Sequence, residues 1–169
     1  MTAIDILAGY ETYLRSLTDL ESLEIKTALR RHPLYMDFSG QPTVQPWRER
    51  GEYVPFLFQI WNETKETLLP VFQTRKSRCD QNDMLKGIAC LIAAFHWTAG
   101  ERVTSLDWSV LETKHFPAEP INWAERMAFI LTKPTQYHSF IQLDELMTEM
   151  KKQYHKYEAM NSVKNLLFS

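Results

Sequence analysis

Glu112 and His115 stand three positions apart, a spacing that puts two side chains on the same face of a helix. Helix bundles that hold paired metal ions use this Glu-x-x-His spacing, but they use it twice, with further glutamates on the facing helices. This chain has one copy, and its intervening residues, Thr113 and Lys114, are polar. We therefore expect an exposed helix end here, with no metal and no cofactor.

His96 follows Phe95 near the end of a strongly apolar stretch, so it is the one titratable group expected close to the core. A histidine in the last turn of a helix can reach a free carbonyl and interact favourably with the helix dipole. The alternative makes His96 a weak catalytic candidate, a base or ligand in a pocket shared with a carboxylate such as Glu101, Asp107 or Glu125. That alternative requires the imidazole to open onto a cavity.

The sequence contains no serine or cysteine nucleophile motif and no glycine-rich phosphate-binding motif. Groups from distant positions can still meet in a fold, so this absence lowers the expectation of an enzyme without removing it. Cys79 and Cys90 are the only two cysteines, and their separation fits neither a redox pair nor a zinc site. The sequence leans towards a non-catalytic protein.

Basic residues form two local clusters, whereas the whole chain carries a formal net charge of -2. This balance gives no overall attraction to nucleic acid or to anionic membranes, so any such binding has to be local. The clusters are Arg75, Lys76 and Arg78, and then Lys151 and Lys152. Such residues can contact phosphates, but basic side chains on an exposed helix usually only solvate it. Nucleic-acid binding is therefore a weaker alternative, and we expect no membrane association.

The residues that position these groups are organised around the stretch from Asn82 to Ala99, which has almost no polar side after Lys86. Its large apolar residues recur at spacings of three and four, and the remaining faces carry small residues, which predicts a helix buried on all sides. Acidic residues before it and Gly100 after it supply start and stop signals. Its small residues would let neighbouring helices approach closely.

The remaining segments also show helical spacing, with no period-two alternation and no internal repeat. We predict a single all-α domain over residues 1–169, a bundle of about six or seven helices around the central one. The other predicted helices cover 3–31 with a possible break near 16–19, 55–74 with a kink or split at Pro70, 104–115, 123–132 and 136–160. Residues 33–54 are predicted to be a long ordered loop, and 161–169 a tail that frays unless its apolar residues dock.

Aromatic residues make up 12% of the chain, including five tryptophans. Large rings in irregular segments often anchor protein interfaces. Trp47 and Trp123 each lie in or beside such a segment, so they are the interface candidates. The leading hypothesis is a protein–protein interaction domain that contacts another protein or a second copy of itself.

The stretch EPINWAERMAFILTKPTQYHSFIQLDEL, from Glu119 to Leu146, resembles the YpoC-like family of uncharacterised proteins from bacilli. The resemblance covers the C-terminal half of the chain and carries over no site residue. It implies a bacterial, cytoplasmic, α-helical protein. The N-terminus agrees with that location, because it has no basic region followed by an apolar run and so no signal peptide.

Overall fold

The computed structural model describes residues 3–18, 20, 22–40, 42–74 and 78–168, without the side chains of residues 3–5. Within these ranges the chain forms eight α-helices, one short 3₁₀ helix at Pro46–Arg48 and no strand longer than an isolated bridge between Arg78 and Gln136. The helices are α1 (Ala3–Ser16), α2 (Ile25–Arg31), α3 (Tyr35–Phe38), α4 (Arg50–Gln73), α5 (Gln81–Thr98), α6 (Trp108–Leu111), α7 (Trp123–Thr132) and α8 (Tyr137–Phe168). The all-α prediction is confirmed.

Helix α5 is the buried centre of the bundle, as its composition predicts. Every residue from Gly87 to Thr98 is buried. The Asp80 carboxylate caps the helix by accepting a hydrogen bond from the Asn82 amide at 2.7 Å. Gly100 follows the last turn with a φ of 76°, the left-handed conformation that glycine adopts without strain. Helices α4 and α8 pack against α5 more extensively than the other helices do.

At Gly87, side chains of α4 and α8 both lie directly against the α5 backbone. A Cβ atom at this position would lie 2.6 Å from Cε3 of Trp61 on α4 and 2.9 Å from Cδ2 of Leu143 on α8. Both distances are shorter than a van der Waals contact. The expected role of small residues on α5 therefore holds at this glycine, where no larger side chain fits without movement.

Helix α4 begins earlier than predicted and is not split. It starts at Arg50 rather than at Pro55, and it continues through Pro70 to Gln73. Each proline removes one backbone hydrogen bond, but α4 buries a long apolar face that includes Phe58, Ile60 and Trp61. Tertiary packing of such a face supplies most of the stability of a protein helix, so the local penalty does not end α4.

The long loop predicted before α4 contains the four-residue α3 and the 3₁₀ turn, which are too short to show a period in the sequence. Conversely, the helix predicted over 104–115 is only four residues long, because Asp107 caps it and it ends at Leu111. Helix α7 has the predicted bounds. Asn122 stands at its N-cap with a left-handed φ of 57° and makes no side-chain capping bond, unlike the predicted cap.

Helix α8 is held to the bundle by polar contacts along its first two thirds. Arg126 of α7 donates two hydrogen bonds to the Glu149 carboxylate, at 2.8 and 3.0 Å. The Trp61 indole N–H donates to Asp144 at 2.9 Å. The helix then continues to Phe168 instead of ending near Met160, since no proline or glycine follows Tyr137 to stop it. Among the described residues, no helix combines the length and apolarity needed to cross a bilayer.

Candidate functional site

His96 is sealed inside the bundle. Its side chain is 1% exposed, and its ring packs edge-on against Phe116. Nδ1 lies 2.8 Å from the carbonyl oxygen of Ile92, one turn earlier in α5, so Nδ1 carries the proton and donates it. Nε2 lies 3.2 Å from Nζ of Lys114 and accepts from that ammonium group.

These contacts fix the charge state of His96. Burial lowers its pKa to about 4; the bond to Ile92 opposes this effect and the nearby positive charge of Lys114 adds to it. The imidazole is therefore neutral near pH 7, with both nitrogens engaged. His96 is buried and does not open onto a pocket. The geometry therefore gives no support to the hypothesis that His96 acts as a catalytic base.

A second buried polar group, Asp37 of α3, was missed in the sequence. Its Oδ2 accepts hydrogen bonds from the Trp97 indole N–H at 3.0 Å and from the Val103 amide at 2.8 Å. Its Oδ1 is buried and has no hydrogen-bond partner within the described residues. Burial raises its pKa to about 7, against the effect of these two bonds. With 1% of its surface exposed, Asp37 connects α3 to α5 and does not reach solvent.

The two tryptophans predicted as interface anchors both pack inside the chain. Trp47 is 8% exposed and lies in the 3₁₀ turn, which contacts α4 and α5. Trp123 is 4% exposed, packs against Phe95 in a tilted arrangement with 4.8 Å between ring centroids, and donates its indole N–H to Glu119. Both rings fill the protein's own core, so neither is available as an exposed anchor. Their burial depends on distant segments that the local sequence does not reveal.

The basic candidates do not gather into one surface. Arg78 is exposed and pairs through its backbone with Gln136, beside the start of α8. Lys151 and Lys152 are exposed about 20 Å further along the axis of the same helix, at 1.5 Å per residue. Arg75 and Lys76 lie outside the described residues. The structure thus shows two separated positions for phosphate contacts, and nucleic-acid binding stays a prediction.

The Glu112–His115 spacing does not fall on a helix face, because α6 ends at Leu111. The His115 side chain is 92% exposed, and its Nδ1 lies 3.7 Å from the Glu119 carboxylate. Across the described ranges, no three histidine, cysteine, aspartate or glutamate side chains cluster as metal ligands would.

The end of α8 has the opposite character to these buried groups. Its last buried side chain is Tyr154, and its last polar tie is the ion pair between Arg50 Nε and Glu158 Oε1 at 2.7 Å. Beyond that pair, five large apolar side chains are between 56% and 82% exposed: Met160, Val163, Leu166, Leu167 and Phe168. We call the segment from Lys156 to Phe168 the α8 end.

Four of the five exposed apolar side chains of the α8 end share one broad side of the helix, and Phe168 lies outside it. At 100° per residue, Met160, Val163, Leu166 and Leu167 fall within about 120° of arc. Asn161 and Asn165 lie on the other side, so the segment is amphipathic. An open groove of about 790 Å³ runs beside it, with Pro117 at its edge. Monomeric proteins rarely leave such contiguous apolar surface uncovered, and it commonly marks an interaction site.

Comparisons with known proteins add a family relationship. A family model described as "YpoC-like protein" matches residues 51–162. The chain is also 61% identical over 160 residues to a protein of Bacillus subtilis (strain 168) with the name "Uncharacterized protein YpoC", a match that covers 94% of this chain and 98% of that protein. No solved structure matches the chain.

Proposed function

The chain belongs to the YpoC-like family, and we propose that it is a non-catalytic protein–protein interaction domain that pairs with a second copy of itself through the α8 end. One observation carries this proposal: five large apolar side chains are exposed on a helix that continues past the core. Burying apolar surface is the main driving force of association, at about 25 cal/mol per Å². A two-fold pair would cover the same surface on both copies at once.

The spacing along the α8 end supports a helix as the occupant. Lys156, Met160, Val163 and Leu167 follow one another at intervals of four, three and four residues. This is the spacing of the a and d positions in a heptad, where side chains of two helices interlock. The first of the four is a lysine, whose aliphatic stem can pack on an apolar neighbour while its ammonium group reaches water.

Charge selects the antiparallel arrangement of the two helices. A parallel pair would set Lys156, a core position of the heptad, against Lys156 of the second copy, and facing like charges repel. In an antiparallel pair centred between Met160 and Val163, Lys156 faces Leu167 of the second copy. In this arrangement no lysine at a core position faces another lysine.

Light scattering after size exclusion tests this function on the full chain. The wild-type protein is expected to have twice the 19.9 kDa mass of one chain at micromolar concentration and to dissociate on dilution. Leu167→Asp places a charge in the pair and is expected to give a monomer at every concentration. A wild-type protein that stays monomeric at all concentrations contradicts the proposal.

Ile121→Asp is the matched control, because Ile121 is 76% exposed and lies outside the α8 end. It introduces the same charge and is expected to leave the dimer intact. If both aspartate variants dissociate the dimer equally, the contact lies elsewhere. Vesicles of phosphatidylglycerol form a second arm, since an amphipathic helix with lysines can also bind an anionic lipid surface; a monomer that binds them only with Leu167 intact overturns the proposed protein contact.

A bacterial cytoplasmic location remains part of this proposal, as the sequence predicts. Fractionation of cells with an antibody against the chain checks it, and recovery in the membrane or culture fraction contradicts it.

A further inference from the structure

A pocket of about 580 Å³ lies between α1, the end of α2 and the first turns of α5, far from the α8 end in the sequence. Its volume falls within the range of about 300–1,000 Å³ typical of small-molecule sites. Three of its lining residues are basic, Arg31, His32 and Lys86, and Tyr10 and Tyr13 contribute rings to its wall. The opposite charge in the lining is Asp83.

The two permanent cations of this pocket are unpaired. The side chains of Arg31 and Lys86 make no hydrogen bond or ion pair with any described residue of the chain. The adjacent Arg30 differs, because its Nε lies 3.1 Å from Glu63 Oε2 and its Nη2 lies 3.4 Å from Glu63 Oε1. The same helix therefore carries one arginine that is paired across to α4 and another that is exposed, lines the pocket and has no partner among the described residues.

The positive charges of both cations act on His32. It caps the C-terminus of α2, and its ring packs edge-on against Tyr13 at 5.5 Å between centroids. Burial is the largest cause of its lowered pKa, and the positive charges of Lys86 and Arg31 lower the pKa further. The three basic side chains are thus close enough to act on one another, although they come from positions as far apart as 31 and 86.

Asp83 offsets only one of the two cations of the pocket. Burial and the neighbouring Asp80 raise its pKa, and Lys86 opposes this effect. The charge of Lys86 also acts on Glu63, whose carboxylate forms an ion pair with Arg30. With Arg31 and Lys86 charged and Asp83 the single lining carboxylate, the pocket has an excess of positive charge.

We propose that this pocket binds a small organic anion, with a carboxylate or phosphate group between Arg31, His32 and Lys86 and a flat organic part against Tyr13. Arginine donors form directed pairs with carboxylate and phosphate oxygens, and a lysine supplies a further point charge. The half-exposed Tyr13 ring, 49% accessible, offers a face for stacking.

The test uses nuclear magnetic resonance on the full chain, following the His32 ring during titration with benzoate, phenyl phosphate and inorganic phosphate. We expect saturable shifts at His32 with at least one of the two aromatic anions. The bound anion stabilises the imidazolium, so the pKa of His32 is expected to rise towards its ordinary value. Benzoate against phenyl phosphate distinguishes the two head groups, and weaker binding of inorganic phosphate shows that the organic part contributes.

Two arginine variants make the test specific. Arg31→Gln is expected to weaken binding about tenfold, which corresponds to about 1.4 kcal/mol. Arg30→Gln removes the same charge one position away and is expected to change affinity less than about twofold, since that side chain is already paired with Glu63. Benzylamine, of similar shape but opposite charge, should not bind.

Three outcomes would overturn the site. They are the absence of a saturable His32 shift with both aromatic anions, equal losses in the two arginine variants, and equal binding of benzylamine. The result is independent of the α8 end, because Leu167→Asp should bind the anion as the wild-type protein does.

Discussion

The end of α5 and the end of α8 differ in which side chains are buried and which are exposed. Around the C-terminal turns of α5, the polar side chains of His96 and Asp37 are drawn into the core and bonded to neighbours. At the α8 end, apolar side chains stand in solvent, with Leu167 72% and Phe168 81% exposed. The polar groups of the first region are hydrogen-bonded inside the fold, whereas the apolar side chains of the second region remain exposed.

This difference shows where contacts with other molecules are expected. A buried imidazole whose two nitrogens are both hydrogen-bonded is not accessible to a substrate. An amphipathic helix end without a covering element lowers its free energy when something covers it. The pocket beside Arg31 shows the same principle for charge, because its cations have no partner among the described residues, whereas His96 and Asp37 in the core are hydrogen-bonded.

The largest contrast is expected between Leu143 and Leu167, two leucines of the same helix. Leu143 is fully buried against α5, so Leu143→Ala removes packed surface and leaves a cavity, lowering the free energy of unfolding by about 2–5 kcal/mol. Leu167→Ala should change it by less than about 0.5 kcal/mol. Urea unfolding at the lowest usable protein concentration measures both, because association then adds least. Equal losses would mean that the α8 end is part of the core.

A pH series distinguishes the sealed His96 from an accessible one. Its folded-state pKa of about 4 lies below the ordinary 6.5, so between these values the unfolded chain binds a proton that the folded chain does not. The stability contributed by a neutral His96 is therefore present above pH 6.5 and lost as the pH falls to about 4, by at most about 3 kcal/mol.

His96→Gln removes this titration. The difference in unfolding free energy between wild type and variant should shrink over that pH range, while the opposite contribution of Asp37 cancels between the two proteins. A difference that stays constant with pH would show an exposed imidazole instead.

A smaller loss is expected at Gly87, where α5 meets α4 and α8. Gly87→Ala gains helix propensity of up to about 1 kcal/mol but forces Trp61 and Leu143 to move. The net result is expected to be a destabilisation of about 1–2 kcal/mol in thermal or urea unfolding. Ala89→Gly, at another buried position of the same helix, supplies a comparison that combines lost propensity with the loss of one buried methyl group. A more stable Gly87→Ala protein would show that the three helices are less tightly packed than described.

The sequence predicts the bounds of the central helix and of α7 well, because apolar spacing and a terminating glycine or proline agree in those segments; the predicted capping bond forms at the central helix and is absent at Asn122. It fails where the deciding contact is distant. The burial of Trp47 depends on α5, and the length of α4 depends on packing that outweighs Pro55 and Pro70. The four-residue α3 is too short for any period to appear.

The candidate sites follow the same division. The bond from His96 to Ile92 is local, one turn of helix apart, and was foreseeable as a carbonyl contact. The pocket is lined by Arg31 of α2 and Lys86 of α5, and no spacing in the sequence indicates that these two residues line one pocket. The apolar residues of the α8 end are visible in the sequence as residues that could dock or fray. Their exposure on a continuing helix required the structure.

Cysteine cross-linking tests the pairing of the α8 ends most directly. In a Cys79→Ser background, with Cys90 buried, Lys156→Cys and Leu167→Cys are prepared as two separate proteins. The antiparallel pair places these positions face to face, so the mixture is expected to form a disulfide-linked dimer on mild oxidation, and neither protein should do so alone. No cross-link in the mixture, or equal cross-linking of each variant with itself, would contradict the proposed pairing.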